Sequence, residues 1–79
     1  MKSDKVRKIV EQICKQRKWY ILMYHTFPKR IVISNEYLAE LYLNFLYMQN
    51  IPYDKVKTLF GMKIEIDNNI KKTQDIYVY

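Results

Sequence analysis

Glycine and alanine each occur once in 79 residues, proline twice, and cysteine and histidine once each. Gly61, Pro28 and Pro52 are the only strong punctuation, which excludes long flexible linkers and leaves a single domain, 1–79. Cys14 alone cannot close an internal disulfide, and Cys14 with His25 cannot build a Cys/His metal centre. One glycine leaves no glycine-rich phosphate loop, so neither a cofactor nor a metal is expected. The longest apolar run, Trp19 to Tyr24, is far too short to span a membrane. The opening Met1-Lys2-Ser3-Asp4-Lys5 does not lead into the apolar stretch of a secretory signal. With a single cysteine this reads as an intracellular, cytoplasmic protein. A chain this short buries only roughly 60% of its unfolded surface. Without covalent or metal staples, such a domain gains stability by binding a partner or a second copy of itself.

What the chain does contain is positive charge, unevenly placed. The formal net charge is +6. Residues 1–30 carry nine basic groups (Lys2, Lys5, Arg7, Lys8, Lys15, Arg17, Lys18, Lys29, Arg30) against Asp4 and Glu11, whereas residues 31–79 carry five against six acidic groups. This asymmetry fits either an anionic partner or a solvated helix face that keeps the protein soluble.

Val6, Ile9, Val10 and Ile13 recur at helical spacing, with Cys14 at the edge of the stripe as a small core residue, so residues 3–17 are expected to form a helix. Arg17 would fall in mid-stripe, which ends that helix near Gln16 to Lys18. Trp19 to Tyr24, apolar on both faces, reads as a covered strand. Pro28 then turns the chain into a second strand, Ile31 to Ile33, completing a hairpin. Ser34 or Asn35 caps a central helix running to about Asn50. Pro52 opens a short helix from Tyr53 to Phe60, ended by Gly61 in the left-handed conformation. Met62 to Asp67 alternates as a half-buried strand, Ile70 is an anchor, and Asp75 to Tyr79 is a return strand. The expected order is α-β-β-α-(α)-β-β, an α+β fold with a small, mostly antiparallel sheet.

The central helix carries more apolar surface than one stripe. Residues 37–48 are apolar except for Glu40 and Asn44, and no lysine or arginine lies between Ile31 and Asp54. Either the first helix covers its second side, or a partner does. In the second case Tyr37, Leu43 and Tyr47 are the protein-interface anchors, with a host-type protein partner or a homodimer as the occupant.

Chemistry is sparse. Glu36 and Glu40 share a helix face, and Glu65 and Asp67 a strand face, but neither pair has a histidine or cysteine companion. No catalytic residue and no enzyme activity is expected. The alternative is a nucleic-acid-binding module using Lys8, Lys15, Lys18, Lys29 and Arg30, with Trp19, Tyr20 and Tyr24 near enough to stack on bases.

Lysine, isoleucine, tyrosine and asparagine make up 34 of the 79 residues, the pattern of an AT-rich coding sequence. The block Ile31-Val32-Ile33-Ser34, a helix, Leu59-Phe60-Gly61-Met62-Lys63-Ile64-Glu65-Ile66-Asp67, then Ile76-Tyr77-Val78 resembles a cassette of small tailed-phage or prophage proteins, and distantly part of tailed-phage coat proteins. The resemblance covers residues 31–79, rests on structural residues, and does not extend to the basic first helix. It implies a small phage-type protein that binds a host macromolecule as inhibitor or regulator, or a minor component of virion assembly.

Overall fold

The structure, a computed structural model, describes residues 4–45 and 50–79. It is an α+β fold: α1 (Asp4–Tyr24), β1 (Arg30–Ile33), α2 (Asn35–Asn44), β2 (Thr58–Leu59), β3 (Met62–Ile66) and β4 (Tyr77–Val78), with 3₁₀ turns at Tyr53–Lys55 and Thr73–Asp75. The sheet is four-stranded and mixed, of order β2-β3-β1-β4, and residues of both helices share one buried cluster with it.

The largest departure from the sequence reading lies in α1. Trp19 to Tyr24 is not a strand paired with β1; it forms the last two turns of one 21-residue helix. At 1.5 Å per residue that helix is about 31 Å long, close to the 33 Å long axis of the molecule. No glycine, proline, asparagine or serine interrupts residues 4–27, and leucine and methionine propagate a helix well. The apolar stripe also continues past Arg17. Val6, Ile9 and Ile13 are fully buried, and Tyr20 is partly buried against the same core. Arg17 is tolerated in the stripe because a long aliphatic stem can lie along apolar surface. Its Nε is buried without a hydrogen-bond partner among the described residues. The helix ends at His25, which adopts φ +56° and donates its N–H to the Ile21 carbonyl at 2.8 Å. This is a left-handed cap without the usual glycine.

β1 is central. It pairs in parallel with β3 (Ile31 beside Ile64, Ile33 beside Ile66) and antiparallel with β4 (Ile31 beside Val78). The antiparallel partner of β3 is β2. A parallel neighbour requires a long crossover, and here residues 34–61, α2 included, supply it. The two-residue turn between β2 and β3 places Phe60 at φ +51° and Gly61 at φ +80°, the pattern of a type I′ hairpin. Gly61 is therefore left-handed, as expected, but it closes a hairpin and does not end a helix. The helix expected from Tyr53 to Phe60 is a single 3₁₀ turn.

Ser34 is the N-cap of α2, its Oγ accepting the Tyr37 N–H at 3.2 Å. The helix ends at Asn44, whose Nδ2 donates to the Glu40 carbonyl at 2.7 Å. Such local side-chain bonds compete with continuation of the helix. Phe45 is extended and sets its ring edge-on to Phe60 at 6.4 Å. The part of the expected central helix at 46–49 lies outside the described residues. Ile70 is buried, as anticipated.

Candidate interaction surface

The three expected interface anchors have separate fates. Tyr37 is only 7% exposed. Its ring belongs to the core and its hydroxyl donates to the Lys71 carbonyl at 2.7 Å. It is therefore a core residue and not an anchor presented to a partner. Leu43 is 67% exposed, on the outer side of α2. Tyr47 lies outside the described residues. Within α2 the first side is covered by the sheet and α1, with Leu38 and Leu41 buried.

Among the described residues, five of the ten exposed large apolar side chains lie at the end of α1, and Leu43 is the one on α2. Trp19 (47%), Leu22 (66%), Met23, Tyr24 and Phe27 (67%) are all exposed, and they lie on the last two turns of α1 and the turn after it. Lys15, Lys18, Trp19 and Leu22 stand at i, i+3, i+4 and i+7, so they share one helix face. That face is opposite the stripe formed by Val6, Ile9, Ile13 and Tyr20. Tyr24 sits edge-to-face with Trp19 at 5.9 Å and tilted against Tyr20 at 4.7 Å. From Gln12 to Asn35 the chain contains no carboxylate but carries Lys15, Arg17, Lys18, Lys29 and Arg30. Of these five, Arg30 alone forms an ion pair among the described residues. Sequence reasoning missed this surface because a run apolar on every side was read as a covered strand. The signal that would have found it is Tyr20, seven residues beyond Ile13 and on the same helix face, past Arg17.

Cys14, expected at the core edge, is exposed. It lines a shallow depression of about 270 Å³ with Arg17, Lys18, Ile21 and Leu22. A longer helix turns this flank to solvent, because the sheet is too small to cover it.

The basic residues do not form one patch. Lys8 and Lys15 face an open cleft of about 720 Å³ between α1 and the Thr73–Asp75 turn, where they are joined by Lys72 and by one carboxylate, Glu11. Lys72 was not singled out from the sequence, since only the tertiary fold brings it beside α1. Lys18 lines a separate depression, with Cys14 and Leu22. Lys29 is exposed, and its backbone N–H donates to the Tyr79 carbonyl at 3.0 Å. Arg30 points from the sheet and pairs with Glu65 at 3.0 Å, which separates it from the lysines of α1.

The carboxylates serve structural contacts. Glu36 and Glu40 both meet Lys5, at 2.6 and 3.8 Å. The hydrogen bond from Lys5 holds the Glu36 carboxyl below its usual range, and the same bond raises Lys5. Asp67 accepts the Asn69 N–H at 3.0 Å. Glu65 accepts from the Tyr79 hydroxyl and from Arg30. Tyr79 is the first cause that lowers the Glu65 carboxyl from its ordinary 4.5, and the same bond raises the Tyr79 hydroxyl from 10.0. A lowered carboxyl contributes stability that is present above its unfolded pKa and lost as pH falls through the folded value. The raised tyrosine contributes below its unfolded pKa and loses that contribution as pH rises through the folded value. Replacing Tyr79 by phenylalanine is therefore expected to move the NMR titration of the Glu65 carboxyl upward toward 4.5. An unchanged titration would show that the hydroxyl does not hold this carboxylate.

His25 is exposed at the end of α1 and forms no ion pair with a carboxylate among the described residues. Among the described residues there is no group of three or more His, Cys, Asp or Glu able to hold a metal ion. No described helix is long and apolar enough to cross a membrane. No family model, no curated protein and no solved structure matches this chain.

Proposed function

We propose that this chain is a non-enzymatic binding protein that acts by occupying the surface of a host macromolecule, and that the end of α1 is its contact surface. One observation carries the reading: five large apolar side chains stand exposed along residues 19–27, inside a stretch of 24 residues without a carboxylate. Trp19 and Tyr24 among them are in ring contact, and exposed apolar patches mark interaction sites. The cations around it favour an anionic partner and speed encounter. They also oppose self-pairing, because two such cationic ends repel each other. The phage-type cassette over residues 31–79 supports a host macromolecule as the partner. Against catalysis stand the structural engagement of the carboxylates and the lack, among the described residues, of an ion pair between His25 and any of them.

The double variant Leu22→Asp/Phe27→Asp tests the surface. Both side chains are about two-thirds exposed, so the melting temperature is expected to stay within the small range of surface substitutions, about 0.5 kcal/mol in stability. Retention of partners from host lysate should be lost. Retention equal to that of the unaltered chain would remove the end of α1 as the contact surface.

A second reading is supported by the cleft that gathers Lys8, Lys15 and Lys72: nucleic-acid binding through phosphate contacts. Its affinity should fall with salt at a log–log slope of roughly 0.7–0.9 per phosphate neutralised. No retardation of DNA or RNA at low salt would dismiss it.

A further inference from the structure

The geometry points to an anionic phospholipid bilayer, in place of a soluble macromolecule, as the surface on which the end of α1 docks; this rests only on the reading of that end as the contact surface. Three features converge on it. The first is the alignment of unlike groups on one face. Lys15, Lys18, Trp19 and Leu22 stand at i, i+3, i+4 and i+7, so these four residues share one helix face.

The second is the grading of the side chains. Leu22 and Phe27, the most exposed, are purely apolar and suited to the acyl boundary. Trp19 and Tyr24 combine an apolar body with a polar edge, the chemistry enriched at headgroup depth. Lys15, Lys18 and Lys29 supply the cations that lipid phosphates attract.

The third is charge: a bilayer rich in phosphatidylglycerol complements a stretch from Gln12 to Asn35 that has no carboxylate. A nucleic acid fits this end less well. Leu22 and Met23 offer a base nothing to stack on, although Trp19, Tyr24 and Phe27 do expose rings. A second copy would bring one cationic stretch toward another of the same sign. No described helix can span the bilayer, so the contact is peripheral and reversible.

Trp19 is the chain's single tryptophan, and its emission reads the contact directly. The full chain is titrated with vesicles of mixed phosphatidylglycerol and phosphatidylcholine, and with vesicles of phosphatidylcholine alone. Emission should move to shorter wavelength on the anionic vesicles, with little change on the neutral ones, and high salt should reverse it. Partitioning of Lys15→Gln/Lys18→Gln should weaken about 25-fold, roughly fivefold for each cation removed. The variant Leu22→Asp/Phe27→Asp should lose the shift while keeping its circular dichroism. Should it fail to fold, the lysine variant still decides the matter.

An unchanged emission on anionic vesicles overturns the proposal, as does equal partitioning by the lysine variant. So does binding of a single-stranded oligonucleotide by a chain that ignores vesicles. If the chain ignores vesicles but Leu22→Asp/Phe27→Asp still loses its lysate partners, the lipid assignment falls and the contact surface stands. If that variant also keeps those partners, both fall.

Discussion

Truncating Ile31 to alanine is expected to cost about 3 kcal/mol of stability, a large share of the 5–15 kcal/mol that holds a typical domain together. Ile31 is fully buried at the centre of the sheet. It stands between Ile64 on the parallel neighbour β3 and Val78 on the antiparallel neighbour β4. Val6, Ile9 and Ile13 of α1 and Leu38 and Leu41 of α2 belong to the same cluster. Loss of the side chain beyond Cβ therefore removes contacts with both flanking strands and opens a cavity that a close-packed interior relaxes into only partly. Chemical denaturation measured beside Leu22→Ala is the check. The exposed leucine should cost little, and equal losses at the two positions would contradict the assignment of Ile31 to the core.

The second large effect is Arg17→Pro. Proline in a helix interior removes an N–H donor and collides with the preceding turn, costing about 3 kcal/mol or more. Position 17 is well inside α1, four residues beyond the fully buried Ile13 and seven before the C-terminal Tyr24. The variant should lose helical circular dichroism as well as thermal stability, and the apolar end of α1 should detach from its present direction. Had the helix stopped at Gln16 to Lys18, with a strand following, proline at the boundary would have been tolerated with little loss of helicity. The substitution thus separates the two readings of residues 17–24 in one measurement.

Local rules made much of the chain legible. The stripe Val6, Ile9, Ile13 located the buried side of α1, Ser34 capped α2, Gly61 took a left-handed conformation, and the alternation from Met62 to Ile66 marked a strand. Each depends on neighbours within a few residues, where spacing and backbone preference carry the information. Trp19 to Tyr24 was misread because a short run apolar on all sides has no periodicity to separate helix from strand. The placing of Tyr37 inside and the crowding of Trp19, Leu22 and Phe27 outside depend on which surfaces a small sheet has area to cover, and periodicity does not record that.

The sequence by itself determined that this is a small cationic α+β domain with its positive charge gathered in the first thirty residues and its helix and strand faces patterned for one core. Tertiary structure decided the rest. It set β1 parallel to β3, brought Lys72 beside Lys8 and Lys15, turned Tyr37 into core, and left the end of α1 in water. The physical reason is area: a 31 Å helix reaches beyond a sheet whose longest strand has five residues, so its last turns have too little sheet to lie against.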